Sequence, residues 1–209
     1  MTGSRKEEIL LATLELAAEK GLDNVSTSMI AERVGIKKPS LYNHFSSKEE
    51  IVKAMYQYLR SSANPFAADG PVDYARLLQG KTALEVLTLV VNNYRSMNRD
   101  AHLLQLYKVI YSERTREPVA AQILVEETER MILATKQLFY ALQVHGLLHF
   151  RDPDMSAVTF ALTIHGLMDY ENDLAGGERG GHSEERAARL LTEYLQWFCA
   201  ENAAKGAAQ

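Results

Sequence analysis

Proline placement is the strongest constraint on how this chain can fold. Its 209 residues contain five prolines: Pro39, Pro65, Pro71, Pro118 and Pro153. A proline inside a helix removes a hydrogen bond and clashes with the preceding turn, so helices begin at prolines or stop before them. All five fall at a helix start or in a linker, and none interrupts a long helical pattern. No segment alternates apolar and polar residues with the period of two that a half-buried strand shows. The expected class is all-α, with about nine helices near residues 5–20, 27–34, 38–45, 48–62, 82–97, 101–112, 118–146, 154–174 and 183–202. Residues 73–80 are open to a further short helix. Residues 63–71 (ANPFAADGP) and 176–181 (GGERGG) read as breaks, Asp100 as a cap for the following helix, and 203–209 as a frayed tail.

Residues 26–48, STSMIAERVGIKKPSLYNHFSSK, carry the clearest functional pattern. Ser26 or Thr27 can cap a helix whose apolar edge is Ile30, Ala31 and Val34. Gly35 can end it in the left-handed region without a Cβ penalty. A second helix restarts at Lys38-Pro39-Ser40, where proline costs nothing because a first-turn N–H has no intrahelical partner. Leu41 and Phe45 hold this helix to its neighbours, while Lys38, Ser40, Tyr42, Asn43 and His44 turn outward or sideways. The stripe Ile9, Leu10, Thr13, Leu16 and Ala17 on residues 5–20 packs against the pair. Two helices about a glycine turn, the second polar and basic, form the helix-turn-helix arrangement that reads a DNA major groove. Ser47-Lys48-Glu49-Glu50 then has the spacing of a capping box for the next helix.

The run GIKKPSLYNHFSSKEEI resembles the signature of TetR-type transcriptional repressors. The matching positions are Gly35, Leu41, Tyr42, Phe45 and Lys48, with Thr27, Ile30 and Ala31 upstream. The likeness covers roughly the first quarter of the chain. It implies a three-helix DNA-binding head over residues 1–48 and a helical effector-binding and dimerisation body over 49–209. It also implies that Tyr42, His44 and Lys48 contact the DNA backbone, with Thr27 and Ser28 contacting DNA from the preceding helix. Lys37, Lys38 and Asn43 have the chemistry for phosphates or base edges. Pro39 stands where the family often has glycine or alanine, which departs from the pattern and stiffens the helix start. Pro39 and Ser40 complete the expected surface.

Charge distribution fits one nucleic-acid tip. Residues 33–48 hold Arg33, Lys37, Lys38 and Lys48 and no acid, a window of +4 in a chain of net −4, leaving −8 elsewhere. A basic tip on an acidic body suits phosphate contact at one end. The single cysteine, Cys199, fits a reducing cytoplasm, and no signal peptide or membrane-length apolar run is read. No cofactor or metal is expected. His145 and His149 have ligand-like spacing, yet Gly146 is expected to end the helix between them.

The body supplies two weaker expectations. The helices near 154–174 and 183–202 carry more apolar surface than one small domain needs. Phe160, Ile164, Leu191, Tyr194, Leu195 and Phe198 are the candidates for a homodimer bundle, with a monomer core as the alternative. Tyr94, Tyr107, Tyr111, Met131, Phe139, Tyr140, His165, Met168 and Asp169 are candidates for a small-molecule effector pocket, with a core position as the more usual reading of each. The leading reading is a cytoplasmic, homodimeric, ligand-responsive repressor on a palindromic DNA operator. The alternatives are an all-helical enzyme with a vestigial head, built on His165 and Asp169, or a dimeric DNA-binding regulator without an effector.

Overall fold

The computed structural model describes residues 4–63, 72–97, 101–176 and 182–204. Among them are ten helices: α1 (Arg5–Lys20), α2 (Thr27–Val34), α3 (Lys38–Tyr42), α4 (Lys48–Ala63), α5 (Tyr74–Leu78), α6 (Ala83–Met97), α7 (Ala101–Glu113), α8 (Pro118–Val144), α9 (Pro153–Gly176) and α10 (His182–Glu201). A 3-10 turn, Leu22–Asn24, joins α1 to α2. No strand occurs among the described residues, only a single antiparallel bridge between Leu148 and Ala203. The helix beyond the nine expected is α5, which Asp73 caps by accepting the Arg76 N–H at 3.1 Å. The linker at 64–71, the cap at Asp100, and residues 177–181 and 205–209 lie outside the described residues. The start of the expected frayed tail is paired instead: Ala203 bridges to Leu148, and the His149 N–H donates to the carbonyl of the preceding Asn202 at 2.8 Å.

Packing divides the chain into two units, Met1–Gly70 with Ser96–Glu127, and Pro71–Arg95 with Thr128–Gln209. The boundary expected at residue 48 does not coincide with this division. In the first unit the whole expected α1 stripe is buried, together with Ile30, Ala31, Leu41 and Phe45. Leu106, Val109 and Ile110 of α7 and Val119, Ala120 and Ile123 of α8 complete the same apolar cluster. The buried Tyr56 hydroxyl of α4 donates to the buried Glu127 carboxylate of α8, which answers the desolvation of both groups.

The second unit is built on aromatic rings. Phe139 stacks on Phe150 at 4.5 Å between centroids, and Phe160 and Phe198 approach it at 5.3 and 5.5 Å. Arg95 of α6 pairs with Glu171 of α9, and Lys136 of α8 lies 3.3 Å from Asp154 at the start of α9.

This core takes in the residues expected at the dimer interface. Phe160, Ile164, Leu191, Leu195 and Phe198 are buried inside the chain itself, and Tyr194 is half-buried against Phe160 and Phe198. These apolar residues satisfy one another within the unit, so they are not an outward face. Phe139 and Met168, offered as effector contacts, belong to the same buried core. Among the exposed positions of α9, Met155, Thr159, Leu162 and Gly166 fall on one side of the helix, and α10 exposes Trp197.

Candidate nucleic-acid interface

Local chemistry sets the α2–turn–α3 element. Ser26 is the cap of α2, accepting the Met29 N–H at 3.2 Å. That leaves the Thr27 hydroxyl available to meet the Tyr42 hydroxyl at 3.3 Å, tying α2 to α3 on the outer surface. Gly35 adopts φ 72°, ψ 32°, and the Ile36 N–H reaches back to the Ala31 carbonyl at 2.9 Å. A side chain at that φ would be strained, which is why the sharp reversal needs glycine. The helix α3 is short, with Pro39 in its first turn and Leu41 fully buried beneath it.

The far side of this element is open and polar. Ser28, Lys37, Lys38, Pro39, Tyr42 and Asn43 are exposed, while Thr27, Ser40 and His44 are half-buried. The Lys38 ammonium lies 6.0 Å from the centre of the Tyr42 ring, the outer limit of a cation–π contact. Lys38, Tyr42 and Thr27 thus form one linked row across the two helices.

The four cations of the expected basic window divide into two kinds. Arg33 is committed to α1, with its guanidinium 2.8 Å from Glu19 and 3.2 Å from Glu15. Its hydrogen bond holds the Glu19 carboxyl below the usual carboxylate range. Lys48 turns away from the α3 surface: its ammonium donates to the Leu22 carbonyl at 2.6 Å and lies 3.8 Å from Glu117. Lys37 and Lys38 remain exposed at the start of α3. One signal for the Arg33 pairing is visible in the sequence: Glu15 and Glu19 are four apart on α1 and share a face.

The start of α4 uses a variant of the expected capping box. Ser47 accepts the Glu50 N–H at 3.1 Å, but Glu50 reaches back one residue further, accepting from the Ser46 N–H and hydroxyl at 2.6 Å each. Those bonds from Ser46 hold the Glu50 carboxyl below its ordinary range.

The effector candidates fall in both units. Tyr107 and Tyr111 belong to α7 in the first, with Arg114 over the Tyr111 ring at 5.3 Å. Tyr94, Met131, His165 and Asp169 belong to the second and are half-buried, while Tyr140 is exposed. Helix α8 ends before His145, and His145 and His149 are both exposed. Among the described residues no group of three or more His, Cys, Asp or Glu is placed to hold a metal ion. No helix among them is long and apolar enough to cross a membrane.

A helix-turn-helix with an exposed polar recognition surface, in an otherwise helical chain, defines a DNA-binding regulator of transcription. Residues 9–55 match the family described as "Bacterial regulatory proteins, tetR family", and residues 85–203 match the "AefR-like transcriptional repressor, C-terminal domain". The second match spans more than half of the chain. The protein belongs to the TetR family of transcriptional regulators. Over 55 residues it is 36% identical to the tetracycline repressor protein class A of Escherichia coli, covering 26% of each chain. Over 53 residues it is 40% identical to the HTH-type transcriptional activator FasR of Mycolicibacterium smegmatis, covering 25% of this chain and 24% of that one. The matched stretch thus spans about a quarter of those relatives' length. Across nearly the whole chain the fold is similar to Salmonella enterica GusR, with TM-score 0.67, 21% identity, and coverage of 96% and 98% of the two chains. It is also similar to a transcriptional regulator from Saccharomonospora viridis solved in complex with choline, with TM-score 0.62, 22% identity, and coverage of 94% and 96%.

Proposed function

We propose that this regulator is a ligand-responsive repressor that binds a palindromic DNA operator as a homodimer. The observation that carries the DNA half is the linked row Thr27–Tyr42–Lys38 beside exposed Lys37, Ser28 and Asn43, on the side of the element opposite buried Leu41. Lys37, Lys38, Tyr42 and His44 meet phosphates, Thr27 and Ser28 position α2, and Asn43 has the amide for an adenine edge. Pro39 and Ser40 shape the first turn of α3 that carries them. Repression is favoured over activation because the larger family match is described as a repressor domain.

The homodimer uses the outward side of α9, with Met155, Thr159, Leu162 and Gly166, together with Trp197 of α10. A Cβ added at Gly166 would meet nothing within 4 Å in its own chain, so the helix offers a bare strip for close approach by a second copy. Two heads in such a dimer read half-sites about 34–36 Å apart. The effector is a small molecule held by the body; the Saccharomonospora viridis regulator of similar fold was solved in complex with choline. It acts by binding one head spacing better than another.

Selection of random duplex DNA by the full-length protein tests the reading. A recovered palindrome whose binding is lost in Lys38→Ala and Tyr42→Ala is the expected result. Recovery of no preferred sequence, or binding indifferent to both changes, overturns it.

A further inference from the structure

Lys48 opens α4 at the position that TetR-type resemblance assigns to a DNA phosphate, yet its ammonium is engaged elsewhere. It donates to the Leu22 carbonyl at 2.6 Å, and Glu117 lies 3.8 Å away, with both side chains less than a quarter exposed. Asp23 stands beside Glu117, and its carboxyl, followed by burial, pushes the Glu117 carboxyl up, while Lys48 opposes the shift. Glu113, one turn earlier, is 7% exposed, and its Oε2 is buried without a hydrogen-bond partner. Three carboxyl groups therefore crowd together, and the Lys48 ammonium is the cation beside Glu117. With Lys48 the four groups come from three places: the turn between α1 and α2, the start of α4, and the end of α7 with the turn that follows it.

We propose that Lys48 is a positioning residue for operator binding: it fixes the α1–α2 turn and the start of α4 against the α7–α8 turn, and does not contact phosphate. This rests on the reading of the chain as a DNA-binding protein. Swinging the ammonium to a phosphate would break the bond to Leu22 and leave part-buried Glu117, crowded by Asp23 and Glu113, without its cation. Removing one partner from a part-buried charge cluster is the costly case, because the remaining charges stay desolvated and uncompensated. Lys37 and Lys38, exposed at α3, have no such tie to break. The Leu22 carbonyl also accepts the Val25 N–H at 3.2 Å, so Lys48 fastens the residue that leads into α2. Head orientation is thereby coupled to α7 and α8 through one side chain.

The test measures operator affinity of the full-length protein against salt concentration for the wild type, Lys38→Met, Lys48→Met and Glu117→Gln. A lost phosphate contact flattens the slope of log K on log salt by about 0.9. Lys38→Met is expected to show that flattening. Lys48→Met is expected to keep the wild-type slope while weakening binding on the order of tenfold at every salt. Its amides at Leu22–Val25 are expected to exchange with deuterium faster without any DNA present. Glu117→Gln guards against a Lys48 variant that fails to fold, because the two roles predict opposite signs. A phosphate-seeking Lys48 would be released and binding would tighten, whereas a positioning Lys48 loses its anchor and binding weakens. A flattened slope in Lys48→Met, or tighter binding in Glu117→Gln, overturns the inference. A wild type that binds no duplex at any salt overturns the DNA-binding reading itself, and the inference with it.

Discussion

Glu113 brings a carboxylate oxygen to 3.0 Å from where a Cβ on Gly21 would stand. Gly21 also adopts φ 81°, ψ 145°, a region that side chains rarely enter. Two independent demands thus meet at the residue that ends α1. Gly21→Ala is expected to destabilise the first unit by at least about 2 kcal/mol, from backbone strain before any clash is counted. Chemical denaturation checks this, and a variant within about 0.5 kcal/mol of the wild type, the range of ordinary surface changes, contradicts it.

The hydroxyls of Thr27 and Tyr42 bridge α2 and α3 at 3.3 Å. Thr27→Val and Tyr42→Phe each delete that link. A double-mutant cycle on operator affinity is expected to give a coupling of about 0.5–1.5 kcal/mol, the size of one hydrogen bond. Strictly additive losses would mean the two groups act separately on DNA.

Core and surface on α9 are separated by a paired experiment. Leu162 is 48% exposed while Phe160, two residues earlier, is 4% exposed. Leu162→Glu is expected to leave the fold intact and shift sedimentation from dimer to monomer. Phe160→Glu is expected to unfold the second unit by burying a charge without a partner. Dimers surviving Leu162→Glu would move the interface away from this side of α9.

Phe139 sits among three other rings and has no exposed surface. Phe139→Ala is expected to cost about 3–5 kcal/mol, the usual range for emptying an aromatic core site. Thermal melting reads it out. A stable variant with altered small-molecule response would return Phe139 to the list of effector contacts.

Glu117 supplies a pH signature. Its carboxyl is held above the ordinary range, first by Asp23 and then by burial. The folded state therefore binds that proton more tightly than the unfolded chain does. The stability it contributes is present below the ordinary carboxylate pKa and is lost as pH rises through the raised value. Glu117→Gln cannot ionise, so its stability relative to the wild type is expected to improve as pH rises from about 4 to 7, the span above an unperturbed glutamate. A difference that stays flat, or moves against the variant, contradicts the assignment.

The helices were legible because their signals are local. Ser26 and Gly35 bound α2, Pro39 opens α3, and Ile9, Leu10, Leu16 and Ala17 space themselves for one buried stripe. Helix α5, five residues long, was open in the sequence because it carries only about one turn of pattern and one cap. Side-chain destinations were harder to read. Phe160 and Phe198 are as apolar as any interface residue, and only three-dimensional packing turns them toward Phe139 and not toward a second copy. Lys48 looked like its neighbours Lys37 and Lys38, because its partner Glu117 lies far along the chain. Arg33 was half legible, since the acidic pair on α1 was visible but not the cation that would meet it.

The core under α3 is completed by Leu106, Ile110 and Ile123, which follow it by more than sixty positions. A ribosome therefore makes the first three helices well before the residues that seal them. The same lag governs transplantation. A chimera that exchanges only the first quarter of the chain between relatives inherits a foreign α7 beneath its DNA-reading helices. Head swaps intended to change operator choice should carry α7 and the opening turns of α8 as part of the cassette.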